Sequence, residues 1–208
     1  MSQNSKGLPG FSEISYENLE SVKRCGIQGF YVVANTSENF VGKHIDALTS
    51  KYKRKPVFWD IYLGFRKGGS LSYVIIHAGI NLDSYKEAGE DMEGLPLEVS
   101  VRYSRNAAAK LTYAAKKLYF PVWYARPNMK SLLDYWFKEK GRNRLRTGKD
   151  GIGLFWIKTL LDDAREKGYI KDRDEWEAWE ALASQSGEII EVDSEFYCIP
   201  GSGTFESH

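Results

Sequence analysis

Cysteine and histidine are both scarce in this chain, and the scarcity narrows its chemistry. There are two cysteines, Cys25 and Cys198, in no CxxC spacing, and three histidines, His44, His77 and His208, none paired at ligand spacing. A zinc site needs three or four converging Cys, His or carboxylate ligands, and a disulfide framework needs more thiols than these. The expectation is no metal and no other cofactor. A GxSxG elbow and a GxxxxGK[ST] phosphate loop are also missing. Basic excess is lacking too, with 29 Lys and Arg against 28 Asp and Glu. Phosphate neutralisation calls for such an excess, so nucleic acid is not an expected partner. No run approaches the roughly 18 apolar residues of a membrane span, and the opening MSQNSKGLPGFSE lacks the basic-then-apolar layout of a secretion signal. A soluble, cytoplasmic protein with reduced thiols is expected.

Aromatic residues are what the chain has in quantity, 14% of 208 positions within a hydrophobic share of 42%. That is ample for one packed domain. The spacing predicts a flexible arm over 1–15, a single domain over 16–200 and a disordered tail over 201–208. IQGFYVVA (27–34) reads as a buried strand, and 39–52 as a weakly patterned helix. VFWDIYLGF (57–65) and LSYVIIHAG (71–79) form a hairpin whose Gly68 and Gly69 tolerate positive φ. In LEVSVRY, Leu97, Val99, Val101 and Tyr103 alternate with Glu98, Ser100 and Arg102, the signature of a sheet covered on one side.

Residues 106–118 read as a helix and 118–125 as a return strand, confined by Pro121 to an edge. Asn128 caps a helix carrying Met129, Leu132, Leu133 and Trp136. A further helix runs from about 152 to Gly168, and a last one carries Trp176, Trp179 and Leu182. EIIEV and EFYCI are short closing strands. The fold class expected is α+β, a largely antiparallel sheet with helices packed on one face.

Candidate chemistry sits mainly on the hairpin. His77 shares a strand face with Leu71, Tyr73 and Ile75. It is either a hydrogen-bonded core histidine or an acid–base group facing a cavity. Asp60 and Tyr62 alternate with Trp59 and Ile61, so they face solvent if the Trp59 face is the core, or line a cavity if the sheet curls. Tyr73, Tyr103, Trp123 and Trp156 add polar-tipped aromatics, which are core residues or the lining of a pocket for a hydrophobic ligand. Arg142, Arg144, Arg146 and Lys149 precede a helix start and could hold an anion, or form a solvated loop behind a helix end. GKDGIG, at the same start, superficially suggests a glycine-rich cradle.

VFWDIYLGFRKGGSLSYVI, LEVSVRYS and GKDGIGLFWIKTLLDDAREKGYI together resemble a small fungal family of unknown function. Its pattern is a His-Trp-x-Ile-Tyr-Leu strand, a glycine turn, a second strand and a late Gly-x-Gly-Cys-Arg-x-Trp helix start. Trp59, Ile61, Tyr62, Leu63, Gly151, Gly153 and Trp156 match it over roughly residues 27–170. Phe58 replaces the histidine, and Leu154–Phe155 replace Cys-Arg. The resemblance implies a natural-product setting and a small, hydrophobic, oxygenated ligand.

The leading expectation is a cofactor-independent cyclase or isomerase, pericyclase-like, of fungal specialised metabolism. Asp60, Tyr62 and His77 would act as its catalytic groups. Trp59, Tyr73, Tyr103, Trp123, Arg142, Arg146 and Trp156 would bind substrate. One alternative is a non-catalytic small-molecule-binding or protein-interaction module. Another is a diverged papain-like cysteine hydrolase using Cys25, which Phe58 at the histidine position argues against. A homodimer is left open.

Overall fold

The computed structural model describes residues 13–36, 49–80, 93–104, 107–123, 126–149, 153–171, 174–185, 187 and 189–206. Residues 1–12 of the arm expected over 1–15 and most of the weak helix over 39–52 lie outside them, although Ser15 already begins a strand and 49–52 are helical.

Strand order follows from the hairpin. Strands β3 (Lys55–Lys67) and β4 (Ser70–Ile80) pair antiparallel around Gly68 and Gly69, whose φ values are 59° and 84°. Two successive positive φ angles are what a tight two-residue turn matched to strand twist requires. Strand β2 (Ile27–Thr36) pairs with the other side of β3, and β5 (Leu97–Ser104) with β4, both antiparallel. β1 (Ser15–Glu17) adds in parallel to β5, and β6 (Lys116–Pro121) closes the far edge beside β2. Pro121 therefore stands on an edge strand, where its missing N–H costs no ladder bond.

Alternation along these strands sorts side chains onto two faces. Val57, Trp59, Ile61, Leu63 and Phe65 of β3 join Phe30, Val32, Val74, Ile76, Leu97, Val99 and Val101 in the main core. Three helices supply its other layer: α2 (Met129–Asp134, continued by a π-helical turn Tyr135–Glu139), α3 (Gly153–Glu166, against β3) and α4 (Asp174–Ala183). Asn128 caps α2 through the Ser131 amide at 2.8 Å. Gly168, at φ 75°, ends α3 in the left-handed conformation. Among the described residues the result is α+β, a mostly antiparallel eight-stranded sheet with four helices beside the short helical stretch at 49–52.

The fourth helix departs from the one-face expectation. α1 (Ala107–Thr112) packs on the opposite face, where Ala107 and Leu111 cover Val33, Tyr62, Tyr73 and Ile75. The helix expected to reach residue 118 ends at 112. Beyond it, Lys116–Pro121 are drawn into β6 because Leu118 and Phe120 alternate into the main core. Tertiary burial here overrides local helix propensity.

The tail also differs from expectation. Gly203–Phe205 form β10, paired antiparallel with β7 (Leu145–Thr147), and Phe205 stacks on Phe155 with ring centroids 6.0 Å apart. The closing strands β8 (Ile190–Glu191) and β9 (Phe196–Cys198) attach to the start of β3 through β9.

The same tail explains Gly153. A Cβ there would lie 2.0 Å from the Ile199 carbonyl oxygen and 2.6 Å from the Pro200 carbonyl carbon, at a φ of 39°. The close approach that suggested an anion cradle is taken up by the chain's own backbone. Gly153→Ala should lower stability by about 3 kcal/mol, from overpacking and left-handed strain together. Urea denaturation reads this, and a loss within about 0.5 kcal/mol, as for an ordinary surface change, would refute the account.

Candidate functional site

The second sheet face carries its own polar cluster beside the small core under α1. Asp60 is two residues from Tyr62 on β3, and His77 two residues from Ile75 on β4. Because Tyr62 pairs with Ile75, period-two alternation puts all four on the same face. Asn35 on β2 and Arg102 on β5 complete the row, Arg102 being paired with Ile75. Together with Thr36, Phe58 and Tyr113, the polar side chains line a cavity of about 420 Å³. That exceeds the roughly 300 Å³ of a small-molecule site.

The geometry inside the cavity is directional. Asp60, 6% exposed, receives Asn35 Nδ2 on Oδ2 at 2.9 Å and meets His77 Nδ1 with Oδ1 at 2.7 Å. A carboxylate only accepts, so Nδ1 carries the imidazole proton, and Nε2 of the neutral ring presents a lone pair. Nε2 makes no hydrogen bond among the described residues, and the His77 side chain is 43% exposed. Room around it is kept by Gly79, where a Cβ would stand 3.6 Å from Nε2. The Phe58 ring meets the imidazole edge-on, with centroids 5.7 Å apart. Burial first, then the charge of Asp60, pushes the Tyr62 phenol up to about 12, while Asn35 hydrogen-bonds it and Arg102 partly offsets the rise. Tyr62 is thus a standing O–H donor near neutral pH. The arrangement can remove a proton, return it, and hold an oxyanion.

Asp60 is a buried carboxylate lining a cavity, the outcome of the second reading made from periodicity, but not for the reason given there. The Trp59 face is the core, yet Asp60 is also buried, because α1 and the neighbouring strands cover the second face. Asp60, Tyr62 and His77 come together. Tyr73 lies on the same face but packs against Tyr31 and Tyr62 in the small core.

The other expected binding residues stand elsewhere. Trp59 is in the main core, edge-on to Trp179 at 6.0 Å. Trp156 is 1% exposed and donates Nε1 to the Arg142 carbonyl at 2.7 Å. Tyr103 packs against Phe65 and under Lys67, bordering a separate cleft of about 1020 Å³ with Lys130 and Lys138. Trp123 is on the surface beneath Lys171. Arg142 is held by both oxygens of Asp163 at 2.7 Å, and Arg146 binds Glu206 and the Gly94 carbonyl. The anion site expected of these arginines is therefore filled by the protein's own acceptors.

Asn35, Phe58, Arg102 and Tyr113 were not among the expected site residues. Arg102 was nonetheless legible, since the alternation of LEVSVRY assigns it to the face opposite the core. Phe58 opens onto the cavity beside His77.

Cysteine chemistry is not supported at this site. Cys25 packs against the main core, across the sheet from His77, and Cys198 is buried. Burial pushes the Cys198 thiol from 9.0 up to about 11, against a smaller lowering from Trp59. Between those values the unfolded chain has released a proton that the native state keeps, so stability falls as pH rises. Between pH 8 and 11 the loss from Cys198 should be about 2 kcal/mol. In urea titrations at pH 8 and 11, Cys198→Ala should lose that much less than the parent. Parallel losses in the two proteins would disprove the assignment.

Among the described residues no group of three or more His, Cys, Asp or Glu could hold a metal, and no helix is long and apolar enough to cross a membrane. No protein-family model, curated protein or solved structure matches the chain.

Proposed function

We propose that this protein is a cofactor-independent isomerase or cyclase that works by proton transfer on a small, hydrophobic, oxygenated molecule. The observation carrying the proposal is the 2.7 Å contact between buried Asp60 and His77 Nδ1, which leaves Nε2 open to an aromatic-walled cavity. Asp60 orients the ring and steadies the imidazolium, as a buried carboxylate does for a histidine base. Nε2 takes a proton from carbon next to a substrate carbonyl, and the C–H electron pair moves into the carbonyl to give an enolate. The Tyr62 hydroxyl donates to that oxygen. The imidazolium then returns the proton at another carbon, giving an isomer, or the enolate carbon attacks a second carbonyl within the same molecule, closing a ring as the new alkoxide takes the proton back from the imidazolium. No electron or co-reactant is needed.

The fungal family that the chain resembles has histidine where this chain has Phe58 on the cavity wall, so the proposal relies on His77 and not on the family's polar position. A setting in specialised metabolism and a cytoplasmic location, suited to two free thiols, are part of the same proposal. Deuterium exchange tests it. In D2O the protein should speed C–H to C–D exchange beside the carbonyl of phenylacetone or phenylpyruvate above the buffer rate, and His77→Asn should not. Equal rates for both proteins would sink the proposal. Tight binding of these ketones without exchange would make the protein a binding module instead.

A further inference from the structure

We infer that the molecule bound in this cavity carries a carboxylate, held by Arg102. The inference rests on the cavity being the working site proposed above, and adds the chemical class of its occupant. Arg102 lines the cavity, and its Nε is buried without a hydrogen-bond partner among the described residues. A buried donor left unmet is costly, and a charged one more so. Arg142, by contrast, has its Nε and a terminal nitrogen met by both oxygens of Asp163.

Charge and register narrow the occupant further. Arg102 and Tyr62 flank Ile75 on three adjacent strands, and His77 and Asp60 stand two residues further along theirs. Positions diagonal across neighbouring strands are about 7–8 Å apart. One small molecule can therefore rest an acid on the guanidinium and present a C–H to His77 Nε2. A planar guanidinium matches a carboxylate through two parallel N–H···O bonds. Asp60 shares the lining with Arg102, so a phosphate dianion would meet twice the like charge there that a carboxylate does. Phe58 and Tyr62 suit an aryl or otherwise flat body for that acid.

The probes are benzoate and its neutral relative benzamide, titrated into the whole protein while the Arg102 Nε–H and His77 ring resonances are followed. Benzoate should bind at least tenfold more tightly than benzamide and should shift the Nε–H signal. Arg102→Met should lose at least tenfold in benzoate affinity, with Arg102→Lys in between. Equal affinity for the two probes, or no binding of either up to 50-fold excess over protein at millimolar concentration (about the level a fragment of this size requires), would overturn the inference. The comparison of probes on the unmodified protein decides even if Arg102→Met fails to fold. Benzoate binding through Arg102 without deuterium exchange on the ketones keeps the carboxylate and removes the catalyst. Exchange on phenylacetone that Arg102→Met leaves intact, with equal probe affinities, does the reverse.

Discussion

Replacing Arg142 with methionine should cost the fold about 3–5 kcal/mol, because it strands a buried carboxylate. Asp163 is 3% exposed and sits on α3 facing the main core. Its two oxygens accept from Arg142 Nε and one terminal nitrogen, both at 2.7 Å. The surrounding backbone depends on the same arginine. The Arg142 amide donates to Trp136 O at 2.9 Å, and its carbonyl takes the Trp156 indole N–H at 2.7 Å. The guanidinium also lies 4.7 Å over the Phe205 ring, tying the β7–β10 pair to α3. A double change, Arg142→Met with Asp163→Leu, should recover most of the loss, since a buried ion pair exchanged for apolar groups is often near neutral. Urea midpoints of the parent and three variants measure the cycle. A single-variant loss under about 1 kcal/mol, the range of exposed pairs, would contradict this account. Benzoate affinity should be unmoved in Arg142→Met, because this pair and the His77 cavity lie on opposite faces of the sheet.

That separation shows where reading the sequence stops. The face to which a residue belongs was legible wherever alternation was clean. Alternation put Asp60 with Tyr62 on one strand face and His77 with Tyr73 and Ile75 on another. It put Arg102 opposite the apolar face of its own strand, and Gly68 and Gly69 marked the turn. What covers a face was not legible. Only strand register brings Asn35 of β2 and Arg102 of β5 beside Asp60, and register between distant segments is a product of the whole fold. The basic loop 142–149 misled for the same reason. Its cations resemble an anion site until Asp163 and Glu206, 21 and 60 residues further on, are seen to occupy them. Polar-tipped aromatics such as Trp59 and Trp156 gave no hint of which would be core, because indoles serve both roles. The return strand expected from Leu118 is present as β6, and helix propensity misplaced only its start, since Lys116 and Lys117 lead Leu118 and Phe120 into the core.

The largest effect on activity is expected from His77→Asn, a fall in turnover of about 10²–10⁴. Turnover here means the rate of proton exchange on whichever ketone the protein accepts. Asparagine Nδ2 comes close to where the imidazole Nδ1 stands, so the donor to Asp60 at 2.7 Å is retained while the Nε2 lone pair is removed. Stability should therefore change by less than about 1 kcal/mol, the scale of one hydrogen bond, and the loss is assigned to chemistry. Asp60→Asn attacks the same dyad from the other side. An amide at 60 can offer N–H to His77, which then takes the tautomer with the proton on Nε2, the wrong atom for a base. Its turnover should fall with the substrate still bound. The double variant should be no worse than His77→Asn alone, because groups acting as one unit are not additive. Tyr62→Phe removes the oxyanion donor and leaves the base, so it should lower turnover about 10²-fold without altering the tautomer. If Asp60→Asn and His77→Asn losses multiply in the double variant, the two residues act separately and the dyad is wrong. If His77→Asn keeps more than about a tenth of parental exchange, too little for a general base, the imidazole is a core histidine that happens to border a cavity.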